Sequence, residues 1–252
     1  MKLLAALIFF TRLPFWRIKE VPAENFRYVV NYWPLAGWLT GGFAAAVLWV
    51  SSLVLPAGVA VLLAMIGRLC LTGALHEDGL ADFFDAFGGA TAKERILAIM
   101  KDSHTGSYGA IGLIFYFLLL WALLSAIPVP LACWVVIAGD AWSKFVAGQL
   151  IRLLPYARRE EESKIRTVYA RMGFGTFLFA LCCGIIPLSV LSPVYLWPAA
   201  VLPLAVLFLL YLLMKRRLQG YTGDCCGATA LLCELSFYLG VVLLIHNHSF
   251  NS

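Results

Sequence analysis

Beyond residue 34 the chain alternates long apolar runs with short polar ones. A helix of about 20 apolar residues crosses the hydrocarbon core of a bilayer. Seven runs of that kind stand out, at 35–55, 57–75, 108–127, 129–150, 173–191, 195–214 and 228–246. Pro56, Pro128 and Pro193 split successive pairs with short turns, which predicts helical hairpins. The last run carries Glu234 and is the weakest of the set. The pattern predicts an all-α, polytopic membrane bundle of about seven transmembrane helices, built as one unit over 1–252.

The stretch "MKLLAALIFFTRLPFWRIKE" breaks this pattern. Its apolar run is short, Arg12 and Arg17 follow it, and no small-residue cleavage site appears. Residues 1–34 therefore read as an amphipathic segment lying in the membrane interface rather than as a secretory signal.

The polar intervals give the orientation. Lys2, Arg12, Arg17, Lys19 and Arg27 precede the first run. Lys93, Arg95 and Lys101 lie between the second and third, and Arg152, Arg158, Arg159, Lys164, Arg166 and Arg171 between the fourth and fifth. Lys215, Arg216 and Arg217 follow the sixth, while the three proline turns carry no Lys or Arg. By the positive-inside rule the N-terminus and the long loops, 76–107 and 151–171, face the cytoplasm.

Composition agrees. Hydrophobic residues make up 62% of the chain and charged ones 13%, against about 25% charged in soluble domains. The net charge of +5 belongs to the face that meets anionic headgroups, so membrane lipid is a partner and nucleic acid is not. The seven cysteines show no metal-site spacing and read as free, packed thiols.

Against this background "GALHEDGLADFFDAFGG" (73–89) is unusual, since it gathers His76, Glu77, Asp78, Asp82 and Asp85. The aspartates fall at i, i+4 and i+7, within about 60° of one another on a helix. Three carboxylates on one face repel unless a cation sits among them, and oxygen ligands suit Mg²⁺. Acidic residues favour a helix start, which accounts for Glu77 and Asp78 but not for Asp82 and Asp85. His76 points nearly opposite to the aspartates and is left out of the metal shell.

Two further polar patches follow. "KDSHTGSYGAIG" (101–112) opens the third run, where backbone N–H groups attract phosphate. Lys101, Ser103, Thr105 and Ser107 add donors, and Asp102 is available to the metal shell. "GYTGDCCGA" (220–228) brings glycines that permit close backbone approach, with Asp224 at the start of the last run. Asp140 and Lys144, at i and i+4 inside the fourth run, are expected to pair with each other.

The segments "FFTRLP" (9–14), "YWPLAGWLTGG" (32–42), "HEDGLADFFDAFGG" (76–89), "IMKDSHTGSYGAIGL" (99–113), "YAR" (156–158) and "TGDCCGA" (222–228) resemble, in order, the adenosylcobinamide-GDP ribazoletransferase family. The resemblance implies an integral enzyme of the bacterial inner membrane, with its active site on the cytoplasmic side. Such an enzyme joins adenosylcobinamide-GDP to α-ribazole or its 5′-phosphate and releases GMP, with Mg²⁺ as cofactor. It leaves a homo-oligomer open. Carried over by position, it implies Asp78, Asp82 and Asp85 as metal ligands and Asp82, Asp102, Asp224 and Lys101 as catalytic residues. It also implies Ser103, Gly106, Thr222, Gly223, Arg12 and Arg158 as substrate-binding residues, and His104, within the same motif, is able to hydrogen-bond phosphate and is counted with them. This chain departs from the family pattern at Glu77, where an apolar residue is expected, at His104, usually Arg, and at Tyr221, usually Gln.

The implied reaction breaks a phosphoanhydride and forms a phosphodiester, which calls for charge neutralisation and in-line placement of the two oxygens. Either Asp102 or Asp224 is available to complete the metal shell or take the hydroxyl proton. Two alternatives stand beside this reading. One is a CDP-alcohol-phosphotransferase-like enzyme with another nucleotide donor. The other is a cation or solute transporter using Asp140, Asp224 and Glu234.

Overall fold

The computed structural model describes residues 1–158 and 169–251. The predicted loop 151–171, with Arg159, Lys164 and Arg166, therefore lies partly outside the described residues. The described chain is helical: α1 (Lys2–Phe10), α2 (Trp33–Ser52), α3 (Ala57–Thr72), α4 (Leu75–Gly89), α5 (Lys93–Ile99), α6 (Ser107–Ser125), α7 (Val129–Gly148), α8 (Leu150–Leu153), α9 (Phe174–Ser189), α10 (Val201–Arg217) and α11 (Gly223–Asn251). Short 3₁₀ segments at Ala23–Tyr32 and Val194–Ala200 lead into α2 and α10. Each of the seven predicted runs lies mainly on helix, and the proline turns fall between α2 and α3, α6 and α7, and α9 and the segment before α10.

By length and composition five helical stretches suffice to cross a membrane. α3 and α4 together make a sixth, broken by a 92° bend, and α9 is shorter than a full span. The bend is local. Gly73 and Ala74 both take left-handed backbone, at φ of 66° and 54°, and the Gly73 and Ala74 N–H groups both donate to the Leu69 carbonyl, ending α3. The acidic stretch thus starts a new helix at the elbow. Large apolar side chains on the outer faces of α6 and α10, such as Phe115, Leu118, Phe208 and Leu209, are exposed and form the lipid-facing belt.

α2 and α7 pack closely through small residues. A Cβ on Gly37 would lie 2.9 Å from the Ala141 Cα, and one on Gly41 would lie 3.1 Å from the Ile137 Cα. This is the G-x-x-x-G approach of membrane helices. At the same contact Asp140 pairs with Lys144, as expected, and the Thr40 hydroxyl donates to Asp140 at 2.5 Å. Deeper in the bundle Arg68 of α3 pairs with Glu234 of α11 at 2.5 Å, and the Tyr238 hydroxyl donates to the same carboxylate oxygen. Arg68 also donates to the Tyr116 hydroxyl of α6 at 3.3 Å. The acids suggested as transport-pathway residues, Asp140 and Glu234, are thus neutralised by partners within the bundle.

Candidate functional site

The site is built on the crossing of α4 and α11. Both helices are stripped to glycine where they meet: a Cβ on Gly79 would stand 3.1 Å from the Asp224 Cα, and one on Gly227 3.4 Å from the His76 Cα. Close approach brings the start of α4 against the start of α11. Thr222 caps α11, its Oγ1 accepting from the Cys225 N–H at 3.3 Å. The Thr222 hydroxyl also touches the Met100 sulfur at 3.5 Å, which joins the beginning of the 101–106 segment to the same junction.

A third piece of chain is pinned beside it. The Tyr221 N–H donates to the Pro155 carbonyl and the Ala157 N–H to the Tyr221 carbonyl, both at 2.9 Å. This isolated bridge carries Tyr156 and Arg158 into place. Gly220 lets it form, since a Cβ there would lie 2.7 Å from the Pro155 oxygen.

These contacts leave a cleft of about 190 Å³ of water-accessible space. Its polar lining is Asp78 from α4, Thr222, Gly223 and Asp224 from the start of α11, and Arg158 from the bridge segment. Its remaining wall is mostly ring-bearing: Phe9 and Phe10 of α1, Trp33 of α2, His76, Tyr156 and Tyr169. Arg158 is anchored by an Nη2 donation to the Leu97 carbonyl at 3.4 Å, and its Nε is buried without a hydrogen-bond partner. Burial pushes the Tyr169 phenol well above its usual range, so it is a neutral hydroxyl rather than a base.

The sequence-derived candidates divide into three groups. Asp78, Arg158, Thr222, Gly223 and Asp224 share the cleft. Asp82 lies half-buried one turn along α4 from Asp78. Asp85 is buried and turned to the N-terminus of α6, accepting from the Gly106 N–H at 2.7 Å and the Gly109 N–H at 2.8 Å. A Cβ on Gly106 would stand 2.5 Å from that carboxylate, which is why glycine is needed there.

The third group is exposed and does not line the cleft: Lys101, Asp102, Ser103 and His104. Asp102 accepts from the His104 backbone at 3.1 Å and pairs with its Nδ1 at 2.6 Å. That hydrogen bond holds the Asp102 carboxyl below its usual range and raises the His104 imidazole. Arg12 stands at the α3–α4 elbow, its backbone N–H on the Leu71 carbonyl and its guanidinium over Gly73. Among the described residues no three or more His, Cys, Asp or Glu side chains group closely enough to hold a metal ion by themselves.

Sequence reasoning did not give a role to Phe9, Phe10, Trp33 or Tyr169, because rings in an apolar chain look like ordinary core. It turned His76 away from the aspartates. In the structure His76 is on the cleft wall, packed against Phe10 and Trp33.

A mostly apolar cleft bearing two carboxylates and an arginine, where three chain segments of a membrane-type helical bundle converge, is the site of a multi-pass membrane enzyme. The chain belongs to the cobalamin-5-phosphate synthase family, whose model matches residues 2–242. It is 38% identical over 247 residues to the adenosylcobinamide-GDP ribazoletransferase of Shewanella oneidensis, covering 95% of this chain and 92% of the relative. It is 39% identical over 249 residues to that of Shewanella putrefaciens, covering 96% and 93%. No solved structure matches the chain.

Proposed function

We propose that this chain joins adenosylcobinamide-GDP to α-ribazole or its 5′-phosphate, giving adenosylcobalamin or its 5′-phosphate and GMP. The observation that carries the reading is the convergence of Asp78, Asp224 and Arg158, from three separate segments, on one cleft. The relatives' names supply the substrates.

In this reaction a ribose hydroxyl oxygen attacks the phosphorus attached to the corrinoid side chain. The phosphoanhydride bond breaks, and GMP leaves with the bridging oxygen. Asp224 takes the hydroxyl proton, since it lines the cleft whereas Asp102 is turned outward to His104. Arg158 offers a cation to the non-bridging oxygens, and the Gly223 backbone at the start of α11 adds a helix N-terminus. The exposed 101–106 segment, with Lys101, Ser103 and His104, is available to the rest of the donor.

Mg²⁺ fits the residues present. This ion is commonly held by one or two carboxylates together with substrate phosphates, not by an all-protein cage. Asp78, with Asp82 one turn further on, would hold it, while Asp85 is engaged with α6. When bound, the ion neutralises charge on the donor diphosphate. The cleft faces the cytoplasm of the inner membrane in this reading, because the segments around it carry the basic residues and the opposite turns carry none.

Purified enzyme supplied with adenosylcobinamide-GDP, α-ribazole and Mg²⁺ releases GMP, and a chelator stops it. Asp78→Asn, Asp82→Asn and Asp224→Asn each lower the rate by roughly 100-fold or more while leaving the thermal transition near that of the parent. GMP release at the parental rate by Asp78→Asn and Asp82→Asn would sink the metal assignment.

A further inference from the structure

Two of the segments that carry the family resemblance, "FFTRLP" and "YWPLAGWLTGG", contain no acid and no obvious catalytic group. Yet Phe9, Phe10 and Trp33 line the same cleft as Asp78 and Asp224. We propose that this ring-bearing wall seats the planar heteroaromatic base of the hydroxyl-bearing substrate, making Phe10 and Trp33 specificity-determining residues. The proposal rests on the reaction proposed above.

The rings are arranged in a shared orientation. Phe10 and Trp33 are stacked at 5.3 Å with planes 10° apart, and Trp33 and His76 at 5.5 Å and 28°. Phe10 and His76 complete the set at 5.9 Å and 20°. The three centroids form a near-equilateral triangle of similarly tilted rings, and a planar ring entering beside them at that tilt favours offset stacking. Tyr169, perpendicular to Phe9 at 87°, stands on the same cleft with a different ring orientation.

The wall also holds polar atoms without partners. Trp33 Nε1 and His76 Nε2 are buried and make no hydrogen bond, on residues only 2% and 6% exposed. Indole N–H is a donor only, and a neutral imidazole nitrogen either donates or accepts. Buried polar groups are ordinarily satisfied; Trp33 and His76 both border the cleft, and His76 also borders a smaller polar cavity with Arg68, Glu77 and Lys144.

Both substrates carry a base, and the chemistry separates them. The acceptor's base is one ribose away from the attacking oxygen. Guanine is one ribose and one phosphate away from the reacting phosphorus, and its edge needs several donors and acceptors. A wall made mostly of rings suits a base with few polar edge atoms.

The test uses full-length enzyme in lipid nanodiscs. Trp33→Phe keeps a ring and removes the N–H, and Phe10→Leu keeps bulk and removes the face. Each raises KM for α-ribazole by roughly 5- to 100-fold, the range expected for losing part of a base–aromatic stack. KM for adenosylcobinamide-GDP stays within about 2-fold. A second arm needs no turnover: α-ribazole alone binds the parent by titration calorimetry, and binds each variant more weakly. Variants that raise the donor KM and spare the acceptor's, or that change neither, overturn the proposal. A parent that binds α-ribazole but releases no GMP upholds the wall and sinks the reaction instead.

Discussion

Asp85 spends both carboxylate oxygens on backbone N–H groups, those of Gly106 and Gly109. An ionised acceptor at the first turn of a helix meets two orphan donors and the positive end of the helix dipole at once. Asp85→Asn leaves one acceptor oxygen and no charge. It lowers stability by about 1.5–3 kcal/mol, read as a fall in the thermal transition, while GMP release at low temperature persists. Complete loss of turnover with an unchanged transition would instead make Asp85 a direct participant at the cleft. The spacing Asp78, Asp82, Asp85 was legible as one helical face. What faces each residue was not, because the loop that returns α6 to Asp85 is 21 residues away in sequence and leaves no periodic mark. His76 is the converse: the wheel correctly separates it from the aspartates, but a cleft has more than one wall.

At the scale of elements, the site depends on how closely α4 and α11 cross. Gly79 meets backbone of Asp224, which cannot swing away as a side chain would. Gly42 of α2 has open space where a Cβ would go. Gly79→Ala therefore forces the helices apart and cuts turnover by roughly 10-fold or more, as small misplacements of reacting groups do. Gly42→Ala leaves turnover unchanged and raises stability slightly, since alanine is favoured over glycine within helices by about 0.5–1 kcal/mol. Equal losses in the two variants would show that the crossing distance is not what matters. The helices themselves were legible from apolar runs and prolines. The 92° bend after Thr72 was not, since nothing in an apolar count distinguishes a helix that ends in left-handed backbone from one that continues.

Across the whole molecule, one buried ion pair joins helices that the chain keeps far apart. Arg68 and Glu234 lie 166 positions apart and bind α3 to α11, with Tyr116 and Tyr238 filling further valences. Removing one partner of a buried pair costs about 3–5 kcal/mol, because the other charge is left uncompensated. Arg68→Ala thus lowers the thermal transition in detergent strongly, whereas Arg68→Leu combined with Glu234→Leu recovers part of the loss. A double variant no better than the single would mean that Arg68 acts through something other than Glu234.

This pair also sets a timetable for making the protein. Asp140 and Lys144 sit one helical turn apart and enter lipid already neutralised. Arg68 has no acid one turn away on its own helix: α3 is synthesised early, and the carboxylate it is hydrogen-bonded to arrives only with α11. Until then Arg68 has near it only the acids of the same cavity, Glu77 of α4 and Asp140 of α7. α11 also brings Asp224 and Gly227 to the cleft, so the event that forms the Arg68–Glu234 pair is also the event that completes the site. A chain that stops short of α11 lacks both the Arg68–Glu234 pair and Asp224, so the loss of one ion pair inside the bundle goes with an incomplete cleft.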